Sequence, residues 1–464
     1  MTYAPPEANE QVLSTLNRDG SRRWLRPKLS PGRFHRRRQV VAYALILAFT
    51  VIPYLKLNGK PLLLLDIVDR QFHLLGGTFH ATDTMLLMLL AVTGLVGIFL
   101  LTAIFGRVWC GWACPQTVYM EFLYRPLERL IEGGRAKLLA ADRQGSSGRR
   151  VLRYGVFLLV SMFLAHTFLA YFVGVERLFR WVQQSPLEHP TAFLVMAGTT
   201  VAMMFDFSFF REQTCLVACP YGRLQSVLLD RQSLIVGYDA ARGEQRHKGK
   251  KKSDQDGDCV DCHKCVTTCP TGIDIRNGLQ MECIHCTQCV DACDAVMDKI
   301  GRPRGLIRYS SQAELAGEGR RFLRPRLILY PLVILLGLSL LVGQLVTRET
   351  AEVTVITKVK GQAPFATAGP GEISNSLRVR VANRASDRRT YTIDLPVSEG
   401  ARIVSAEIPM TVEPGKSRVA SLFVILPDDA FHNGRKKVSI RVRDDVGTFE
   451  EIKEVQLRGP RRKP

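Results

Sequence analysis

The sequence predicts a multidomain protein: an α-helical transmembrane bundle of five spans, a small cysteine-rich insert, and a C-terminal all-β sandwich of immunoglobulin type. Three observations carry this expectation. Apolar runs alternate with arginine-rich loops, so the mean hydropathy of +0.03 averages two opposites. Eight cysteines between Cys259 and Cys293 repeat one spacing twice. The stretch 351–457 changes texture to short alternating runs separated by turn residues.

The chain has 464 residues, with 63 Lys and Arg against 43 Asp and Glu, a formal charge of +20. The basic clusters flank apolar runs, which is the positive-inside pattern of membrane proteins. No helix interleaves arginines with aromatic residues, so nucleic acid is not an expected partner. Residues 1–38 read as a basic, irregular tail on the cytoplasmic side. The expected spans are Val40–Leu55, Thr84–Phe105, Tyr154–Val173, Thr191–Phe210 and Leu327–Val346. The first is read as a retained helix ending near Pro53, because its leader is too long for a signal peptide and no A-x-A site follows. A run of about 20 apolar residues suffices for the hydrocarbon core. Segments 1–38, 39–210, 211–326, 327–347 and 348–464 then divide the chain. Both cysteine-bearing loops fall inside, and five spans place residues 348–464 in the periplasm of a bacterial inner membrane.

Seven strands are expected in the last segment: Glu352–Val359, Ser376–Val381, Thr390–Leu395, Arg402–Val412, Arg418–Leu426, Lys437–Arg443 and Thr448–Leu457. Pro414-Gly415 and Asn433-Gly434 supply turns between them. Seven short strands at this spacing argue a sandwich, here without a cysteine to bridge its sheets. Nothing in it reads as catalytic.

The cysteine run, within about 250–300, reads C-V-D-C-H-K-C-V-T-T-C-P and then C-I-H-C-T-Q-C-V-D-A-C. Each half is C-x2-C-x2-C-x3-C, the spacing of bacterial two-cluster ferredoxins. In that pattern the fourth cysteine of each half reaches the other cluster. One [4Fe–4S] centre is therefore expected on Cys259, Cys262, Cys265 and Cys293, and its neighbour on Cys269, Cys283, Cys286 and Cys289. The alternative, a pair of zinc knuckles, needs paired C-x2-C units and not linked triplets. His263 and His285 sit inside the runs, either tuning the sulfurs by hydrogen bonds or facing solvent. Lys248, Lys250, Lys251 and Lys252 read as a solvated basic linker, or as a dock for an acidic donor.

The remaining four of the twelve cysteines form Cys110-x3-Cys114-Pro115 and Cys215-x3-Cys219-Pro220. Each pair follows an apolar span, which is an internal duplication. An i, i+4 spacing puts both sulfurs of a pair on one helical face, and packing of the halves would gather four thiols. Soft thiolates select Cu(I), zinc or iron–sulfur centres, so these four are candidates for metal contact or redox hand-off; structural capping of helix ends is the plainer alternative. His166, inside the third span, is a further candidate metal ligand beside Met203 and Met204, though packing explains such residues equally well. Asp206 is expected to pair with Arg211 or to snorkel.

Four stretches together resemble the cytochrome c oxidase accessory family CcoG, also called FixG or RdxA. They are W-C-G-W-A-C-P-Q-T, C-L-V-A-C-P-Y-G-R-L-Q, C-P-T-G-I-D-I-R-N-G-L-Q-M-E-C-I-H-C and D-K-I-G-R-P-R-G-L-I-R-Y-S. The resemblance covers nearly the whole chain and implies two [4Fe–4S] clusters on the eight cysteines named above. It also implies a link to copper delivery for cbb-type oxidases, with reduction of Cu(II) to Cu(I). Cys110, Cys114, Cys215 and Cys219 would then meet copper or pass the electron, with oxidase subunits or copper chaperones as partners. Two other roles fit the residues: an electron conduit from a quinol or another donor to a membrane enzyme, and a non-enzymatic scaffold for oxidase assembly.

Overall fold

The computed structural model describes residues 14–15, 21–69, 71–80, 84–144, 148–248, 256–319, 323–357, 363–385, 387–396 and 400–460. The linker lysines Lys250, Lys251 and Lys252 lie outside them. The chain forms two compact units, Met1–Leu65 with Leu87–Leu341, and Asp66–Leu86 with Val342–Pro464.

In the first unit, four helices are long and apolar enough to cross a membrane: Met85–Phe105, Gly148–Val173, Pro190–Phe210 and Pro325–Val346. Pro190 opens its helix at a position whose amide has no helical partner to lose. The last helix buries none of its residues against protein, which leaves its Leu, Val and Ile side chains to face lipid. The expected first span corresponds to the second half of a helix over Arg33–Val51, closed by a tight turn around Pro53. Its first turns carry Arg33, Arg36, Arg37 and Arg38, so it does not reach the apolar length of the other four.

That helix also corrects the reading of residues 1–38 as a free tail. Arg26 donates to Glu128 at 2.7 Å, Arg22 lies 3.7 Å from Glu212, and the Lys28 amide donates to the carbonyl of Thr267. The first amides of the helix, at Phe34 and His35, donate to the Asp291 carboxylate. An acidic side chain satisfies two orphan donors there and matches the positive helix end.

The segment after Cys114 is helical from Pro115 to Glu132, with a wider π-turn over Met120–Tyr124. This places Tyr124 between Phe157 and Phe207, with ring centroids 4.9 and 4.2 Å away. The Tyr124 hydroxyl meets Ser161 at 2.8 Å, so the one polar atom of this apolar knot is satisfied.

The cysteine-rich insert is framed by two antiparallel strands, Ile235–Tyr238 and Ile307–Ser310, paired from Ile235↔Ser310 to Tyr238↔Ile307. Helices carry the third cysteine of each half near their start, Cys265 in Lys264–Thr268 and Cys289 in Gln288–Lys299. Val236, Ile273, Val290, Met297, Leu306 and Ile307 form its core together with the cysteines. The domain therefore runs from about Ile235 to Ser310, wider than the expected 250–300 because its strands lie outside the cysteine run.

The second unit holds the sandwich. One sheet has the order Arg402–Val404, Ser417–Pro427, Glu372–Asn383, Ala351–Ile356, with Ala366–Gly369 paired to Glu372–Asn383; the other has the order Met410–Val412, Arg389–Asp394, Arg435–Asp444, Glu450–Arg458. Alternate residues point inward, and Leu377, Val379, Val381, Leu422, Val424, Ile440 and Val442 are almost wholly buried. Full burial of such a side chain contributes roughly 1.5–3 kcal/mol. The expected strand Arg402–Val412 is corrected to two strands, because the chain changes sheets between Val404 and Met410. A hairpin, Gln71–Leu74 with Gly77–His80, belongs to this unit: Gln71 donates to the Gly415 carbonyl and Arg348 to the Thr78 carbonyl.

A candidate iron–sulfur centre and a second thiol cluster

The eight cysteines of the insert line two separate cavities. Cys259, Cys262, Cys265 and Cys293 face one, a void of about 370 Å³ including its mouth, walled by Val296, Met297 and Leu306. Cys269, Cys283, Cys286 and Cys289 face the other, about 330 Å³, walled by Val236, Ile273 and Ile275. Cys293 lines the cavity of the first triplet and Cys269 that of the second. Cys265 borders both cavities.

The loops around the cavities repeat in their backbone as well as in sequence. Asp261 and His263 have positive φ of 46° and 51°, and His285 and Thr287, at the same positions of the second half, have 53° and 60°. Non-glycine residues seldom adopt this conformation. Alternation of left- and right-handed residues turns consecutive amides toward one side, making a concavity for an anion. A polyanionic cluster in a cysteine-lined cavity fits that backbone. Burial pushes the Cys265 and Cys283 thiols up to about 12, so without iron they stay protonated and iron binding must release protons.

The two sites differ in their surroundings. At the first, Arg276 donates to Asp274 and Asp261 at 2.6 Å each and meets His263 at 2.9 Å. At the second, His285 is fully buried, and its Nδ1 accepts the Arg107 amide at 3.1 Å. Burial, with the Arg107 charge nearby, lowers that imidazole to about 3, so it is neutral. His263 faces solvent in part, as one reading of the sequence expected; His285 does not.

The second set of thiols is also assembled, but not on one helical face. Cys110 lies in the short helix Val108–Trp112, and Cys114 precedes the next helix as its extended N-cap, with Pro115 in the first helical position. Cys215 lies in a π-turn, Thr214–Ala218, and Cys219 is the extended N-cap before Pro220, its sulfur accepting the Gly222 amide at 3.4 Å. Proline after cysteine breaks each helix between the paired thiols, which corrects the continuous-face expectation. The four thiols nevertheless lie near enough that a thiolate at one would disfavour ionisation at another: the other three do so at Cys215, and Cys114 and Cys219 do so at Cys110. Burial raises Cys110, Cys114 and Cys215 above the usual thiol range. Among the described residues, no three His, Cys, Asp or Glu side chains close around a single ion.

This thiol group abuts the second cavity. Cys110 shares a buried cluster with Ile284 and Cys286, and its sulfur donates to Gln225 at 3.0 Å. A methyl group on Gly111 would sit 2.5 Å from the Ile284 carbonyl oxygen and 2.9 Å from the Cys286 backbone, so only glycine allows this approach. A cavity of about 300 Å³ joins Cys215 to Pro270, Thr271 and Ile284, with Arg125, Arg211 and Glu212 in its walls. Asp206 does not form an ion pair with Arg211. It accepts from Gln116 at 3.2 Å and from Thr214, one residue from each cysteine motif, and its carbonyl takes the Arg211 amide. His166 is not grouped with Met203 and Met204, which pack against the Tyr119–Phe207 core. It lines a different cavity, about 830 Å³, with Met162, Trp181, His189 and Met196.

Beside this stands a buried ion network that sequence reasoning missed. Glu128 accepts from Arg26 at 2.7 Å, Arg153 at 3.0 Å and Arg211 at 3.1 Å; Arg125 pairs with Glu121 and with Glu212 at 3.3 Å. The only signal in the sequence is an excess of arginine, whose partners lie on other elements.

Comparison with known proteins agrees with this architecture. Residues 210–312 match the 4Fe-4S dicluster domain family, residues 87–133 a 4Fe-4S binding domain, and residues 341–460 the IG-like fold at the C-terminal of FixG. Protein RdxA of Cereibacter sphaeroides is 33% identical over 86% of this chain and 88% of its own length. Nitrogen fixation protein FixG of Rhizobium meliloti is 30% identical over 95% of this chain and 93% of its own. Protein RdxB of C. sphaeroides is 33% identical over 82% and 83%. A solved FixG-related protein from Vibrio parahaemolyticus covers 24% of this chain and 98% of itself, with 17% identity and a TM-score of 0.21. An iron–sulfur domain, apolar helices and the FixG C-terminal fold thus occur together in one chain, and this protein belongs to the FixG/RdxA family.

Proposed function

We propose that this chain is a membrane-bound electron-transfer protein whose thiol group Cys110, Cys114, Cys215 and Cys219 meets Cu(II), which leaves as Cu(I). In this reading Cys259, Cys262, Cys265 and Cys293 hold one [4Fe–4S] cluster, and Cys269, Cys283, Cys286 and Cys289 hold the other. Bound clusters supply single electrons, and cupric ion takes one. The observation that carries the reading is that Cys110 shares a buried cluster with Ile284 and Cys286, its neighbour Gly111 lying against the Cys286 backbone, so the second thiol group borders the second cavity.

Thiolates stabilise the cuprous product, and an open set of four suits a passing ion better than a closed cage. Copper contact must displace thiol protons, with Arg107 the nearest cation favouring the Cys110 thiolate. The cavity beside Cys215 offers the route in. Copper and oxidase assembly come from the family resemblance, and the thiol geometry is compatible with them.

The reading includes five crossings. The helix Arg33–Val51 has 19 residues, about 28 Å at 1.5 Å per residue. Its following segment shares a unit with the segment after Pro325–Val346, through Gln71–Gly415 and Arg348–Thr78. The start of the arginine-bearing helix is bonded to Asp291 of the cluster insert, which one apolar helix separates from the sandwich, and this supports a crossing by Arg33–Val51. The positive-inside pattern assigns the cluster domain to the cytoplasm and the sandwich to the periplasm.

The test is Cu(I) formation, followed with a Cu(I)-specific chelator, by purified protein reduced with dithionite and freed of excess reductant. The variant in which Cys110, Cys114, Cys215 and Cys219 are all serine is expected to keep its iron and lose copper reduction. Equal rates in the two proteins would remove the thiol group from the mechanism.

A further inference from the structure

Arg38 has no accessible surface, yet two of its three guanidinium nitrogens have no partner. Its Nε donates to the Gly111 carbonyl at 2.9 Å, and its Cζ lies 5.3 Å from the centroid of the Phe122 ring. Nη1 and Nη2 remain without an acceptor. Gly111 is the residue pressed against the Cys286 backbone, so the carbonyl that Arg38 bonds holds the guanidinium beside the second cavity. Asp291 is engaged by the Phe34 and His35 amides. Leaving a buried cation with unmade hydrogen bonds is costly, and such a group persists where a negative partner belongs.

The first cavity is treated differently. Its arginine, Arg276, is bonded to two carboxylates and His263. Asp294, next to Cys293, adds a further carboxylate, 3.5 Å from Arg33. One site therefore has an uncompensated buried cation and the other a compensated one.

We infer that Arg38 sets the difference in reduction potential between the two sites, its unpaired buried charge favouring the reduced state at Cys269, Cys283, Cys286 and Cys289. An added electron deepens the negative charge beside Arg38, and burial leaves that attraction largely unscreened. The electron then rests at the site nearer Gly111 and Cys110, its counterpart at Cys259, Cys262, Cys265 and Cys293 being left oxidised. The inference rests on the cluster assignment proposed above. Arg38 acts as a positioning charge and touches no substrate.

The experiment is an anaerobic redox titration of the full-length protein in detergent, followed by EPR, with iron and sulfide determined on each sample. The signal of the second site is the one lost in Cys286→Ser. In Arg38→Met, the reduced-to-oxidised ratio of that site at the wild-type midpoint is expected to fall about tenfold, a shift of about 59 mV to more negative potential for one electron. The first site should not move, and Arg38→Lys should recover most of the shift. Full iron with both midpoints unchanged in Arg38→Met overturns the inference. If Arg38→Met does not assemble its clusters, Arg38→Gln is titrated with the same two outcomes. A wild-type protein without two clusters refutes the ligand assignment itself, before any question of Arg38 arises.

Discussion

Replacing Glu128 with glutamine removes one negative charge from the centre of three arginines. Burial alone would raise the Glu128 carboxyl, but Arg211 and then Arg26 overcome it and hold the group down to about 2, from an ordinary 4.5. At about 1.4 kcal/mol per pH unit, that depression corresponds to roughly 3 kcal/mol of native-state stability at neutral pH. Breaking a buried ion pair by removing one partner costs about 3–5 kcal/mol, because the remaining charges stay buried. The two estimates agree. Since the folded value lies below the unfolded one, the contribution is complete above about pH 4.5 and drains away as pH falls toward 2. Denaturant unfolding of detergent-solubilised protein at pH 7.5 should therefore show Glu128→Gln less stable than wild type by about 3 kcal/mol, and the gap should narrow below pH 4.5. A variant as stable as wild type at pH 7.5 would refute the claim that this network holds the N-terminal segment to the helix after Cys114 and the turn at Arg211.

Three more outcomes follow. Gly111→Ala would press a methyl against the Ile284 carbonyl and the Cys286 backbone, so iron bound per protein should fall, whereas Gly94→Ala, with open space around it, should leave iron unchanged. Cys286→Ser should halve the iron and sulfide content and leave one EPR signal, and loss of both signals would show that the two sites are not separately held. Asn383, fully buried, donates to the Val412 carbonyl and accepts from the Tyr391 hydroxyl and the Ala385 amide. Asn383→Leu strands those groups and should destabilise the sandwich by about 1–3 kcal/mol on thermal unfolding, without changing the cluster spectra.

Chemistry that depends on near neighbours in the chain was legible from the sequence. Cysteine spacing predicted which four thiols share each cavity, because loops of two and three residues leave few ways to wrap a cluster. Apolar length predicted the four long helices, because a helix rises a fixed distance per residue. Alternation predicted most of the strands, because a pleated strand turns successive side chains to opposite faces. The misreadings arose where a residue's partner lies far along the chain. Arg22, Arg26 and Arg38 read as part of an irregular tail, and they are held against Glu212, Glu128 and Gly111. The strand Arg402–Val412 was read as one because its composition does not show the change of sheet around Pro409.

The sequence by itself determined the cofactor chemistry and the division into membrane, cluster and sandwich parts. Ligand type, hydrophobic length and periodicity are properties of a local stretch. Only the tertiary structure decided that Gly111, beside Cys110, lies against the Cys286 backbone, that Arg38 is left unpaired there while Arg276 is neutralised, and that Asp206 ties the two cysteine motifs together. A charge or a thiol acquires its energy from what surrounds it, and those surroundings come from elements many residues apart.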